Sequence, residues 1–346
     1  MSNKKIFADK KGAIGWLVFN NPEKRNAISL DMAKMATQIL DEFSNDDSIR
    51  VVILRGEGGK SFVSGQDISE FEKLRSTPEG IANYEKITNG MYQGVRDLKK
   101  PSIAMIDGFC MGGGVGIAMH SSIVIVSENV KFAMPECTIG LFPDVGSSNF
   151  LSKLKSNIGL YIALTGKRLV SGDLIELGLA NYCVSRNNFK SLEKRLINIK
   201  NMRSIHKIID EYSEKTNSSI FPSLNKNINN IFKYNKVEKI ISLLESSNEI
   251  WAEEAFKAMN KSSPTSLKIS LKQLRLSKYK SFKDNLIMDY RLSQSCMTGV
   301  DFYEGVRSVL VDKDFKPIWS PNKVQDVSNK LVVSHFKSLG KGDLAI

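Results

Sequence analysis

The chain has 346 residues, 42% of them hydrophobic and 25% charged, a balance that excludes wholesale disorder and leaves room for two domains of ~100–200 residues each. Its formal net charge of +12 suggests an anionic partner, such as a phosphorylated ligand, a lipid surface or nucleic acid. The four cysteines, Cys110, Cys137, Cys183 and Cys296, lie far apart without CxxC spacing, so neither a disulfide framework nor a zinc site is indicated and a reducing compartment is expected.

Ala13–Asn20 (AIGWLVFN) and Val51–Arg55 (VVILR) are short apolar, β-branched runs and are predicted strands. Between them, Ile28, Met32, Met35, Ala36, Ile39, Leu40 and Phe43 recur at helical spacing, which predicts an amphipathic helix over 28–43. Ser102–Ile106, Ile123–Val126 and Lys131–Met134 are further strand candidates, with a short apolar helix at Gly114–His120. This alternation is an α/β pattern of strand–strand–helix units. After about residue 186 the strand signals stop, and Thr265–Leu276, Lys283–Met297 and Phe302–Asp312 carry helical periodicity. The predicted division is therefore an α/β core over residues 1–200, holding the active site, and a mainly helical region over 201–346. Charge is uneven: residues 186–240 hold 12 Lys/Arg against 5 Asp/Glu, net +7, and ten Asn. The basic stretches lack interleaved aromatics, which argues against nucleic acid as the partner. No uncharged apolar run approaches the ~18 residues of a membrane span, and no targeting segment is visible at the N-terminus, so a cytoplasmic location is expected, or the mitochondrial matrix in a eukaryote.

Three segments carry candidate chemistry. Gly112-Gly113-Gly114 opens the 114–120 helix. Glycines there let a ligand approach the backbone, and the free N–H groups favour negative charge. In KSFVSGQDISEF (60–71) a second apolar stretch ends in Ser64-Gly65-Gln66, with Asp67 as a candidate N-cap. Two such turns can each supply one N–H to a single oxygen, which is an oxyanion hole for a thioester. Third, Glu136 and Asp144 lie eight residues apart among Phe132, Met134, Ile139, Leu141 and Phe142. Carboxyls in apolar surroundings have raised pKa values and suit acid/base work; a capping role for Asp144 and a salt-bridge role for Glu136 are the competing readings. His120 reads as a packed histidine, and no cluster of His, Cys and Asp suggests a metal. Asp301, Glu304 and Arg307 are spaced to form salt bridges on one helix.

The order of NNPEKRNAIS, KSFVSGQDI, KPSIAMIDGFCMGGGVG and FAMPECTIGLFPDVG resembles the crotonase (enoyl-CoA hydratase/isomerase) superfamily. FAMPE…IGLFPDVG, ALTGKRL, SPTSLKISLKQL, MDYRLSQSCM and DFYEGVRSVLVDKDFKPIWSP resemble, more narrowly, its 3-hydroxyisobutyryl-CoA hydrolases. The resemblance implies a spiral of ββα units followed by a helical C-terminal region. It implies hydrolysis of a hydroxyacyl-CoA thioester, with the Gln66 and Gly113 amides as oxyanion hole and Glu136 and Asp144 as catalytic acids. Glu85, in EKITN, is the match to a further family glutamate before the Lys-Pro strand. Hydratases carry a glutamate two residues after the glycine triplet, where this chain has Gly116; enoyl-CoA hydratase or isomerase is thus the alternative. CoA enters as part of the substrate and no separate cofactor is required. Lys268 and Lys272, at i and i+4, are candidates for its phosphates. The acyl group, 3-hydroxyisobutyryl or 3-hydroxypropionyl, and any homo-oligomer stay open.

Overall fold

A computed structural model describes residues 4–74, 78–199, 202–216 and 218–344. The strands, in chain order, are β1 (Ile6–Lys11), β2 (Ile14–Phe19), β3 (Val51–Gly56), β4 (Ser61–Val63), β5 (Ser102–Ile106), β6 (Phe109–Met111), β7 (Ile123–Val126), β8 (Lys131–Ala133) and β9 (Tyr182–Cys183). By internal contacts the residues group into two units. The first comprises Met1–Asp67, Ile87–Phe132 and Leu169–Phe221; the second comprises Ile68–Lys86, Ala133–Arg168 and Pro222–Ile346. Both units thus draw on three separate stretches of the chain.

In the first unit a six-stranded sheet runs in the order β1-β2-β3-β5-β7-β9, and a three-stranded sheet in the order β4-β6-β8. Only β1 runs antiparallel in the large sheet; β2 pairs parallel with β3, β3 with β5, β5 with β7 and β7 with β9. Each of the strand pairs β3/β4, β5/β6 and β7/β8 sends its first member to the large sheet and its second to the small one. This is the ββα repeat. β2, β5 and β7 are buried along their whole length, as parallel strands covered on both faces must be, so they read as unbroken apolar runs rather than alternating ones. The helix Leu30–Asn45 begins where Ser29 Oγ accepts from the Met32 amide at 3.2 Å and buries Met32, Ala33, Ala36, Ile39, Leu40 and Phe43. Helices Phe189–Leu196 and Met202–Tyr212 add Leu192, Leu196, Ile205 and Ile209 to the core around Ile53, Ile103 and Ile125. The Asn/Lys-rich stretch therefore supplies core residues from the apolar faces of amphipathic helices.

In the second unit the helix Pro264–Ser277 is buried over most of its surface, with Lys268, Lys272 and Arg275 half-buried along one stripe. Its N-cap Ser263 Oγ accepts from the Ser266 amide at 3.1 Å, and a proline occupies its first turn. Its serines, small enough to lie between packed helices, let it sit against Ser147–Leu151 and Ile158–Thr165. The helix predicted over 302–312 is α-helical at Val300–Val306 and widens to a π-helical turn at Arg307–Val311. Arg307 there pairs with Glu304 at 2.7 Å and Asp314 at 2.8 Å. Asp301 does not join that ion-pair cluster as its spacing suggested: its carboxylate accepts instead from Ser263 Oγ at 2.6 Å and the Ser320 amide at 2.8 Å.

Candidate active site

Two loops of the first unit present backbone donors. After β4, the Ile28 amide donates to Gly65 O at 2.9 Å and the Asp67 amide donates to Ile28 O at 2.8 Å. In such a parallel bridge the intervening residue, Gln66, directs its own N–H to the opposite side. Asn26 holds the neighbouring backbone: fully buried, it donates to Glu57 O and Ser61 O, both at 2.9 Å, and accepts from the Asn21 amide at 2.8 Å. Asp67, which immediately precedes the turn Ile68–Glu70, pairs through Oδ2 with Lys24 at 2.7 Å. After β6, Gly112 adopts φ 47°, ψ −116°, a conformation open to glycine. Gly113 opens the helix Gly113–His120, so its N–H has no intrahelical acceptor. A Cβ on Gly114 would lie 2.1 Å from Val63 O, so the helix start packs directly on β4. A Cβ on Gly113 would lie 3.5 Å from the Gln66 nitrogen and 2.7 Å from the Tyr92 hydroxyl. Gln66 and Gly113 thus offer their amides within one small region.

Among the described residues the second unit carries five buried carboxyls: Glu85, Glu136, Asp144, Asp289 and Asp301, the last already engaged by Ser263 and the Ser320 amide. Glu136 opens a tight 3₁₀ turn, Glu136–Ile139, that ends in left-handed Gly140. The Ser263 amide donates to Cys137 O at 2.9 Å. Glycines at 140 and 305 allow backbone contact, since a Cβ on either would come within 2.4 Å of the Asp301 carbonyl or Ile139 carbonyl carbon respectively. Burial, reinforced by the negative charge of Asp144, pushes Glu136 well above the ordinary carboxylate range. Its Oε2 makes no hydrogen bond to any described residue, and no cation is among the groups acting on it.

Asp144 sits in Pro143-Asp144-Val145-Gly146, where Val145 and Gly146 both have positive φ, 53° and 75°. A β-branched residue in that region is strained, by ~1–3 kcal/mol, and the packing of the turn must hold it there. Asp144 does not cap the following helix with its side chain: the N-cap of Ser147–Leu151 is Gly146, and Asp144 contributes only its carbonyl to the Ser147 amide at 2.8 Å. Burial pushes Asp144 up to about 7. Burial, with repulsion from Asp144 and Asp289, pushes Glu85 up to about 8 against a hydrogen bond from Ser293. Burial likewise pushes Asp289 up to about 7.

The sequence reading had no role for Asp289, nor for Gln273 beside it. The signal was present in MDYRLSQS: an acid at 289 and a serine at 293 share a helix face with apolar Leu286 and Leu292 nearby, and both are buried. Lys268 and Lys272 lie along a separate cavity of about 910 Å³, lined also by Lys236 and Arg275. Lys268 is engaged by Glu238 at 2.6 Å and by Val327 O at 2.8 Å, and Lys272 lies 5.2 Å over the Phe336 ring. Among the described residues no three His, Cys, Asp or Glu side chains are grouped to hold a metal ion, and no helix is long and apolar enough to cross a membrane.

The family profile described as enoyl-CoA hydratase/isomerase matches residues 14–336. The chain is 39% identical to the mitochondrial 3-hydroxyisobutyryl-CoA hydrolase of Mus musculus, over 98% of this chain and 90% of that protein. It is 38% identical to the Homo sapiens protein of the same name, over 99% and 90%. The chain belongs to the 3-hydroxyisobutyryl-CoA hydrolase family of the crotonase superfamily. Among solved structures it is similar to an enoyl-CoA hydratase from Rhodobacter sphaeroides 2.4.1, with a TM-score of 0.91 at 28% identity over 99% of this chain and 100% of that one. A carnitinyl-CoA dehydratase from Mycobacterium thermoresistibile gives a TM-score of 0.91 at 26% identity, covering 97% of both chains. Crotonase folds thus run the length of the chain, and the hydrolases of the family are its nearer kin in identity than these two structures.

Proposed function

We propose that this protein hydrolyses the thioester of 3-hydroxyisobutyryl-CoA to 3-hydroxyisobutyrate and CoA. The observation that carries the reading is Glu136: a buried carboxyl with an unpartnered oxygen, raised in pKa by its surroundings and by Asp144. A buried polar atom left unsatisfied marks a place for a ligand, and a carboxyl so desolvated is a strong base or nucleophile once ionised. In this reading the Gln66 and Gly113 amides receive the thioester oxygen as negative charge develops on it. Glu136 either attacks the carbonyl carbon, forming a mixed anhydride that water then opens, or takes a proton from the attacking water. In both routes the C–S bond breaks and the thiolate of CoA leaves with one proton. Asp144 binds the substrate hydroxyl or carries that proton, and Glu85 lines the acyl site. No separate cofactor takes part. The phosphates of CoA account for part of the basic charge, with Lys272 the better placed of the two lysines because Lys268 is already paired to Glu238. The partner is this small acyl-CoA rather than nucleic acid, and the compartment is the mitochondrial matrix, a reading supported by the word mitochondrial in the relatives' names, or a bacterial cytoplasm.

The test is steady-state release of free thiol across short acyl-CoA thioesters: 3-hydroxyisobutyryl, 3-hydroxypropionyl, isobutyryl and crotonyl. Preference for the hydroxylated esters supports the reading. Hydration of crotonyl-CoA without thiol release would replace it with the hydratase alternative, and Gly116, which can carry no proton, argues for the first outcome.

A further inference from the structure

The Asp144 turn is strained, and within it the Ser147 amide bonds Asp144 O at 2.8 Å. Further fixing groups come from two helices. Gln273, buried on Pro264–Ser277, donates from one Nε2 to Pro143 O at 2.9 Å and to Asp289 Oδ1 at 2.8 Å. Asp289, on Phe282–Met297, accepts from Ser148 Oγ at 3.0 Å through Oδ2, and from the Gly146 amide. Three donors therefore meet one carboxyl, two of them from the chain just after Val145, while Gln273 also ties down Pro143 before it. An amide in its place would turn a donor towards at least one of them, because only a carboxylate accepts at both oxygens.

We propose that Asp289 is a positioning residue for the hydrolase reaction: with Gln273 and Ser148 it clamps the Pro143–Gly146 turn and so sets where the Asp144 carboxyl is presented. The proposal rests on the hydrolase reading for its kinetic arm only. Both carboxylate oxygens of Asp289 are already engaged by these donors, so it acts through the turn rather than on the substrate. The charged groups facing it are both acids, Asp144 on the turn and Glu85 on Pro78–Arg96, so it is not held there by an ion pair.

The experiment compares Asp289→Asn, Asp144→Asn and the double variant. Asp289→Asn is expected to lower kcat by about 10-fold or more with KM changed less than about threefold, and to cost less than about twofold when Asp144 is already Asn, since residues acting as one unit are not additive. Equal, multiplicative losses in both backgrounds would overturn the proposal, as would wild-type kcat in Asp289→Asn. Should that variant fail to fold, Gln273→Met and Ser148→Ala each remove one donor and are held to the same non-additivity with Asp144→Asn. A crystal structure of Asp289→Asn, or of either substitute, reads the clamp without substrate: a displaced Pro143–Gly146 turn is expected, and an unmoved turn overturns it. If the wild type released no thiol from hydroxyacyl-CoA yet the turn moved, the hydrolase reading would fall and the clamp would stand.

Discussion

In the first unit the proposed chemistry rests on backbone N–H groups, at Gln66 and Gly113, and in the second on side-chain carboxyls, at Glu85, Glu136, Asp144 and Asp289. The backbone donors need glycines, close packing and one buried asparagine, Asn26, and they carry no titratable proton. The carboxyls need desolvation, and desolvation makes them sensitive to pH and to one another. The backbone donors thus set geometry that is indifferent to pH, and the carboxyls set a protonation state.

The largest effect expected from breaking this contrast is at Glu136. Glu136→Gln keeps shape and burial but removes the base, and should lower kcat by ~10²–10⁴ while circular dichroism stays native. A folded variant with more than ~10% of the activity, well above that range, would take Glu136 out of the reaction.

On the backbone side, Gly113→Pro deletes a donor at a helix position that tolerates proline, and a loss of ~10²–10³ in kcat is expected for one oxyanion donor. Gly113→Ala keeps the N–H but brings a Cβ to 2.7 Å from the Tyr92 hydroxyl. The alanine variant should recover much of its activity in a Tyr92→Phe background and the proline variant should not. Equal recovery of both would mean that sterics, not the donor, matter at this turn.

Asp144→Asn should cost about 10²-fold in hydrolysis and should also move the pH profile. In the wild type, kcat/KM rises with pH as the Glu136–Asp144 pair loses protons, with an apparent pKa above the ordinary ~4.3 of a glutamate. Removing the like charge at 144 lowers the pKa of Glu136, so the acidic limb shifts to lower pH. A limb that stays put would show that the two carboxyls do not interact.

The last effect is on stability rather than on rate. Glu85 has a folded-state pKa of about 8 against a reference of 4.5, so the folded protein binds more protons than the unfolded chain between those values. Stability is then fully present below about 4.5, declines as pH rises, and the contribution is lost by about 8. Glu85→Gln removes that decline, up to ~1.4 kcal/mol per pH unit for one group. Its melting temperature should fall less than that of the wild type between pH 5 and pH 8, measured by calorimetry. Gln66→Ala, which removes no titratable group, should leave the wild-type slope unchanged.

The buried strands at 14–19, 51–56, 102–106 and 123–126 were legible because parallel strands covered on both faces need unbroken apolar runs. The three-residue strands β4 and β6 were not, since Ser61–Val63 and Phe109–Met111 are too short to show a period. Helix Leu30–Asn45 carried its apolar stripe in plain view, but its cap at Ser29 starts it two residues after the Ile28 that the stripe suggested. Helix Pro264–Ser277 showed its periodicity but not its burial, because serines on a surface and serines wedged between helices look alike in a sequence.

By itself the sequence determined the ββα plan, the glycines that bring backbone close to backbone, and the apolar frame around Glu136 and Asp144. Only tertiary structure decided that Asp289 and Gln273, more than 120 residues beyond Asp144, would close on its turn. It also decided that Asp301 would bond Ser263 and the Ser320 amide rather than Arg307. A repeat or a steric need is a local property that spacing can reveal. A buried carboxyl, by contrast, takes its partners and its pKa from whichever distant donors and charges the packed chain brings to it in place of water.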